Sequence, residues 1–213
     1  MVRKVAEKTL DGQLQEDLEK YRQRALELGA ADARIISADT VVVDERVRAK
    51  CIYPKCPGYG TSVHCPPHAI DVDLTRKIVN NFQQAIFIKL ETPSEAMAGE
   101  SDRRKKLGLP WRKNLFEIIA KIESEAFYDG HYLALGFTCG SCKSVFCPGI
   151  ECSALLLGEP CRHPLKARSS MESVGMDAFA MATRVGWDIY PIGEVLSESD
   201  VPHGLLLGLV LVA

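Results

Sequence analysis

The spacing of the cysteines constrains this chain more than any other feature. Cys51, Cys56 and Cys65 stand in "CIYPKCPGYGTSVHCPPH", a C-x4-C-x8-C arrangement followed directly by Pro66 and Pro67. Cys147, Cys152 and Cys161 stand in "CPGIECSALLLGEPCRHP", which repeats the same spacing and is followed by Pro164. Cys139 and Cys142 form a C-x2-C pair just ahead of the second triplet, so the eight cysteines divide as three, three and two. What eight thiols do depends on their compartment. The opening "MVRKVAEKTLDGQLQEDLEK" is polar and charged where a secretory signal needs a continuous apolar stretch, so a cytoplasmic location is expected. Thiols stay reduced there and disulfides are rare. A chain of 213 residues with 46% hydrophobic content can also build a core without covalent staples. Metal binding is then the expected use of the cysteines.

A cubane of four irons takes four thiolates, and in two-cluster ferredoxins the fourth ligand of one cluster comes from the run that holds the other. Counting predicts the same arrangement here: two [4Fe-4S] clusters, one on Cys51, Cys56 and Cys65, the other on Cys147, Cys152 and Cys161. One of Cys139 and Cys142 would complete each, which makes all eight cysteines candidate ligands. A rival partition gives Cys139, Cys142, Cys147 and either Cys152 or Cys161 to one cluster. The first triplet is then left with a borrowed cysteine or with an open iron, and an exchangeable position on a metal is where a substrate or sulfide binds. Pro54, Pro57, Gly58 and Gly60 in the first segment, and Gly140, Pro148 and Gly149 in the second, can turn backbone amides toward the sulfurs and tune a cluster's potential.

The remaining chemistry is subordinate to the thiols. His64, His68 and His163 flank ligand cysteines but are secondary candidates, because cysteines already fill two four-ligand sites. His131 and His203, each opening a strand, read as structural. Arg162 and Arg168 either offset the charge of a thiolate-bound cluster or are solvated. Zinc is the rival metal, although its structural sites usually use paired short knuckles and only Cys139 with Cys142 looks like one. No glycine-rich phosphate loop, His-Glu zincin motif or Gly-x-Ser-x-Gly turn is present. The net charge of −2 lacks the basic excess that would neutralise a phosphate backbone. The expected partner is a redox protein, with no nucleic acid and no membrane.

Apolar periodicity places secondary structure around these segments. Leu14, Leu18, Tyr21, Ala25 and Leu28 recur at helical steps in a helix that Gly29 closes. The β-branched run from Arg34 to Asp44 predicts one bent strand or a tight pair leading to Cys51. Asp71 or Asp73 can cap a helix with Leu74, Ile78 and Phe82 on its face, followed by a strand from Ala85 to Leu90. The polar stretch from Thr92 to Leu109, with its run of charges from Arg103 to Lys106, predicts an exposed connection. Leu115, Ile119, Ile122 and Ala126 mark a helix ended by Gly130, and "HYLALGF" reads as the strand that delivers the later cysteines. Val174, Ala178, Met181 and Val185 mark a last helix stopped by Gly186, with short strands near "WDIYP" and "GLLLGLVLVA". The final run is about half of what a bilayer needs and reads as a buried strand. The expected fold is α+β (or α/β): one domain over residues 1–213, a mixed sheet flanked by helices, and cysteine-rich loops at strand ends over 51–68 and 139–164.

The stretch "VRAKCIYPKCPGYGTSVHCPPH", taken with "CGSCKSVFCPGIECSALLLGEPCRHPLKARSSMESVGMDAF", resembles the uncharacterised cysteine-rich predicted metal-binding protein family, domain of unknown function 2284. The resemblance covers nearly the whole chain. It rests on Cys51, Cys56, Cys65-Pro66-Pro67, the later cysteines, Cys161-Arg162-His163-Pro164 and the segment from Arg168 to Asp177. Where that family often reads Arg-Pro-Ser-Met-Glu, this chain carries Ser169 in place of the proline, a departure that bears on the local turn. The resemblance implies metal binding and supplies no reaction. Two classes of function follow: a redox module whose paired clusters relay electrons, and a cluster whose open iron acts on a substrate or sulfide. A zinc-stabilised interaction protein is the non-redox alternative.

Overall fold

The computed structural model describes residues 3–5, 11–193 and 196–213. Among them four strands, β1 (Asp32–Ser37), β2 (Gln84–Thr92), β3 (Leu135–Phe137) and β4 (Gly204–Leu211), form one sheet in the order β1-β2-β4-β3. The alternation of β2 aims Ile86, Ile88 and Leu90 at one face and Ala85 and Phe87 at the other. In β4, Leu206 and Val210 share the first face while Leu207, Leu209 and Leu211 share the second. A strand buried on both faces needs apolar residues at every position, which accounts for the unbroken run in β4. The register sets Ile86 opposite Val210 and Phe87 opposite Leu209.

The helices are α1 (Asp11–Glu27), α2 (Glu45–Ile52), α3 (Val72–Val79), α4 (Ser101–Tyr128), α5 (Cys142–Phe146) and α6 (Ala178–Arg184). α1 and α4 cover the first face, α1 through Leu18, Tyr21 and Ala25, α4 through Leu115, Ile118, Ile119 and Ile122. Two glycines let α4 come close. A Cβ on Gly208 would lie 2.7 Å from Ile119 Cδ1, and one on Gly136 would lie 2.6 Å from Ile119 Cγ2 and 2.5 Å from Glu123 Oε2. The second face is covered by Met171, Val174, Met176 and Met181, with Trp187 stacked on Phe87 at 4.8 Å between ring centroids.

Every strand pairing is antiparallel, so the fold is α+β; the expected mixed sheet, and with it the parallel α/β alternative, is corrected. The run from Arg34 to Asp44 is not a strand pair: β1 stops at Ser37, a 3-10 turn follows over Ala38–Thr40, and Val43 makes only an isolated bridge to Met176. The expected exposed connection from Thr92 to Leu109 is largely helix. α4 begins at Ser101, and Asp102 pairs with Lys105 at 3.0 Å across one turn, so the charge run supplies helix-compatible i,i+3 contacts rather than a loop. α3 is capped by Asp71, whose carboxylate accepts the Leu74 N–H at 2.7 Å. It buries Val72, Thr75 and Val79; of the expected face Ile78 and Phe82 pack against the second-face core, while Leu74 is exposed.

Only Leu135–Phe137 of "HYLALGF" pairs as a strand. His131 does not open it but turns inward, its Nε2 lying 3.0 Å from Asp17 Oδ2. Val174 belongs to a 3-10 turn ahead of α6, which starts only after Asp177 caps Ala180 N–H at 3.0 Å. "WDIYP" is irregular, its Trp187 Nε1 donating to Asp32 at 2.9 Å instead of entering a ladder. The cysteine segments are not simply loops at strand ends: Cys51 lies in the last turn of α2 and Cys142 opens α5. Among the described residues no helix is long and apolar enough to cross a membrane.

Candidate metal centre

The first triplet is set by α2 and by one arginine. Asp44 caps the helix by accepting the Arg46 N–H at 2.8 Å. Arg48 then reaches across to the carbonyls of Ser173 at 3.1 Å, Ala69 at 3.2 Å and Ile70, tying α2 to the chain beyond Cys65 and to the turn Glu172–Val174. Between them the chain folds back on itself, with Cys56 N–H on the Cys51 carbonyl at 3.0 Å and Gly60 N–H on the Pro66 carbonyl at 2.7 Å. Gly58 N–H points at Cys56 Sγ at 3.4 Å, an amide-to-sulfur contact of the kind the glycines led us to expect. Cys51 is half-buried, Cys56 exposed and Cys65 buried, and all three line one open cleft of about 970 Å3.

The second triplet hangs from β3. Thr138 N–H bonds the Ser169 carbonyl at 2.9 Å, Gly140 takes φ +69°, and α5 begins at Cys142. The segment is closed by Ser153 Oγ on the Pro160 carbonyl at 2.8 Å and by Arg162 on the Glu151 carbonyl at 2.6 Å. His163 N–H points at Cys161 Sγ at 3.4 Å. Cys142, Cys147, Cys152 and Cys161 all line one recess, together with Ser62, His64 and His163. The recess has about 20 Å3 of room, on the order of one water. A group larger than a water fits there only if the lining moves apart.

The two cysteine units interlock. Cys65 Sγ lies 3.3 Å from Ser141 Oγ, and Cys142 Sγ lies 3.9 Å from Ser62 Oγ, so each segment contributes a serine beside the other's cysteine. Cys147 borders both the cleft and the recess. Cys139 borders neither. It is buried in the apolar core against α4, with Glu172 and Arg112 as its nearest charges. Among the described residues no three His, Cys, Asp or Glu side chains are close enough to grip a single metal ion. The donor set fits thiolate-ligated metal chemistry: eight cysteines, seven of them around two adjoining cavities.

Burial holds several thiols protonated. It pushes Cys51 up to about 11, helped by Cys56, Glu172 and Cys65. Burial likewise pushes Cys139 up to about 12, with Glu172 adding to it and Arg112 opposing. Cys142 also rises to about 12, chiefly through burial; the Ser62 hydroxyl opposes the shift, while Cys65 of the first triplet and Cys161 and Cys152 of the second add to it. Thiolates from both units therefore repel one another at Cys142. A cation is what lets them ionise together, so metal binding must release protons.

The remaining candidates divide. His64 and His163 border the recess, while His68 is exposed and borders neither cavity. Burial, and then the nearby Arg168 charge, lower the His64 pKa, which keeps its ring neutral; its Nδ1 lies 3.2 Å from Ser169 Oγ. Ser169 thus holds the His64 ring through its hydroxyl. Arg168 is neither solvated nor aimed at a cysteine: its fork meets Glu123 of α4 with two bonds of 2.8 Å. Sequence reasoning missed Arg48, Ser62, Ser141, Arg112 and Glu172. Glu172 borders the cleft, and burial raises its carboxyl pKa against the Ser170 hydroxyl and backbone amides. Arg48, Ser62, Ser141 and Glu172 all fall inside the stretches that carry the family resemblance, whereas Arg112 lies outside them.

No curated protein and no solved structure is found to match the chain. Residues 34–211 match the model of the family described as predicted metal-binding protein, a domain of unknown function, and with two cysteine units on adjoining cavities the chain belongs to that family.

Proposed function

We propose that this protein carries two [4Fe-4S] clusters at adjoining sites and works as a cytoplasmic electron-transfer module. The observation that carries the reading is that each C-x4-C-x8-C triplet borders its own cavity and that the two cavities meet at Cys147. Clusters held there supply one-electron transfer. The chain's residues do the rest: they hold the two sites side by side, bury Cys65, Cys139 and Cys142 and half-bury Cys51, Cys147, Cys152 and Cys161. Ser141 and Ser62 stand beside sulfurs, and Gly58 and His163 turn amides toward them, contacts that tune a potential. Ile150, Leu156, Leu157 and Leu165 are exposed beside the second triplet, which supports docking of a redox partner there.

In this reading Cys142 joins Cys147, Cys152 and Cys161, all of which border the recess. Cys139 is left for Cys51, Cys56 and Cys65, and the charge of Glu172 acts on both Cys139 and Cys51. A second reading is favoured by the position of Cys139 outside both cavities: the first triplet keeps an open iron facing the cleft, where a substrate or sulfide binds. Iron and acid-labile sulfide counts on anaerobically purified protein test the whole proposal. About eight irons per chain are expected for two cubanes and about four for one; stoichiometric zinc without sulfide overturns it. Single serine substitutions separate the two readings. Cys142→Ser should damage the cluster of the second triplet; if Cys139→Ser leaves both clusters spectroscopically intact, the first site has its open iron.

A further inference from the structure

The wall of the cleft opposite the first triplet is made by α4, and it is strongly basic. Arg104, Lys105, Lys106 and Arg112 border the cleft from α4, and Lys143 borders it from α5. Against these five cations stand two carboxylates, Asp102 and Glu172, and Asp102 is already paired with Lys105. Arg104, Lys106, Arg112 and Lys143 make no ion pair among the described residues. This excess sits on a chain whose net charge is −2, so it is local to the cleft rather than a property of the surface as a whole.

Two simpler accounts fall short. A cation can balance a cluster without touching it, as Arg112 acts on Cys139, but none of these five bonds a cysteine among the described residues. An oxidised [4Fe-4S] core would carry about two net negative charges on four thiolates and about one on three, and five cations against two carboxylates exceed either. Nor is the run merely a solvated helix face. Arg104 and Arg112 are half-buried, and Arg112 is steered by a bond from its Nη2 to the Lys105 carbonyl at 2.9 Å. A half-buried guanidinium with no carboxylate is a ready partner for an oxyanion, which it can meet with two parallel bonds. The cleft, at about 970 Å3, has the size of small-ligand sites.

We propose that this cleft binds a small molecule carrying two or more negative charges on carboxylate or phosphoryl oxygens, held by Arg104, Arg112 and Lys143 against the first cysteine triplet. The proposal rests on the reading above for what the anion meets at the triplet; the charge that holds it belongs to the chain alone. Calorimetric titration of the purified holoprotein with inorganic phosphate and with succinate, at low and at high salt, tests it. One-to-one binding of at least one probe is expected, weakened by salt and weakened about tenfold or more by Arg104→Gln and by Arg112→Gln. Lys166→Gln, whose lysine pairs with Glu117 away from the cleft, should leave binding unchanged. If Arg112→Gln fails to fold, Arg104→Gln and Lys143→Gln decide. Binding of phosphate alone assigns a phosphoryl ligand, and of succinate alone a carboxylate. Failure of both probes to bind, or binding indifferent to the arginines, overturns the proposal. Arginine-dependent binding to protein that lacks iron upholds the site and overturns the cluster reading; iron at the expected count with no anion bound does the reverse.

Discussion

At the scale of single residues, the most tightly defined polar group lies away from the cysteines. Asp17 is buried, and its carboxylate receives Arg3 Nη2 at 3.0 Å, Gln13 Nε2 at 3.2 Å and His131 Nε2 at 3.0 Å. Burial pushes its pKa up, but the Arg3 and His131 bonds outweigh it and hold the group below the usual carboxylate range. A depressed folded pKa means stability that is present above the ordinary value of about 3.9 and lost as pH falls through the folded value. Asp17→Asn should cost about 2 kcal/mol near pH 7, most of it from the buried His131 contact, since Arg3 is 37% exposed and its share is screened. Thermal melts of both proteins from pH 7 to pH 2 check this: the gap should close on acidification, and a gap that stays constant contradicts it.

At the scale of elements, the junction of α4 with the sheet edge decides where the second cysteine unit sits. Glu123 accepts Gly136 N–H of β3 at 2.7 Å and the fork of Arg168 just before the turn at Glu172, so one carboxylate joins helix, strand and cysteine-bearing segment. Gly136 has to lack a side chain for that geometry, because a Cβ would stand 2.5 Å from the same carboxylate oxygen. Gly136→Ala should therefore destabilise by about 1–3 kcal/mol although alanine is the better residue in an unfolded-chain entropy sense. Denaturant unfolding measures it, and a neutral or stabilising result would show that Glu123 is free to move. Arg48 does for the first triplet what Glu123 does for the second. The sequence reading saw neither, because both bond groups far away in the chain and neither interrupts the apolar pattern.

At the scale of the molecule, a two-faced apolar core adjoins a cysteine-bearing end held by turns, caps and long side chains. β2 and β4 are buried on both faces, while Cys56 is exposed and Cys51, Cys147, Cys152 and Cys161 are half-buried. Removing metal should loosen residues 51–68 and 139–164 and leave β2 and β4 protected, because the thiols take their protons back and lose the metal that tied them together, while the sheet keeps its own packing. Hydrogen exchange before and after chelation reads this directly. Unchanged exchange in both cysteine segments would mean that the loops are held without metal.

Much of this protein was legible in order along the chain. The helix ending at Gly29, strand β2, the C-terminal half of α4 and strand β4 all follow from periodicity, because burial of an apolar face repeats every two or every 3.6 residues. The repeated cysteine spacing likewise pointed to two units without any structure. Tertiary structure alone decided the antiparallel order β1-β2-β4-β3, the helical start of α4 over a charged run, the burial of Cys139 away from both cavities and the gathering of Arg104, Arg112 and Lys143 onto one cleft. Spacing reports what a residue's neighbours in the chain allow. Whether Cys139 or Arg112 meets a thiol, a carboxylate or open space is set by residues dozens of positions away, and only folding brings those together.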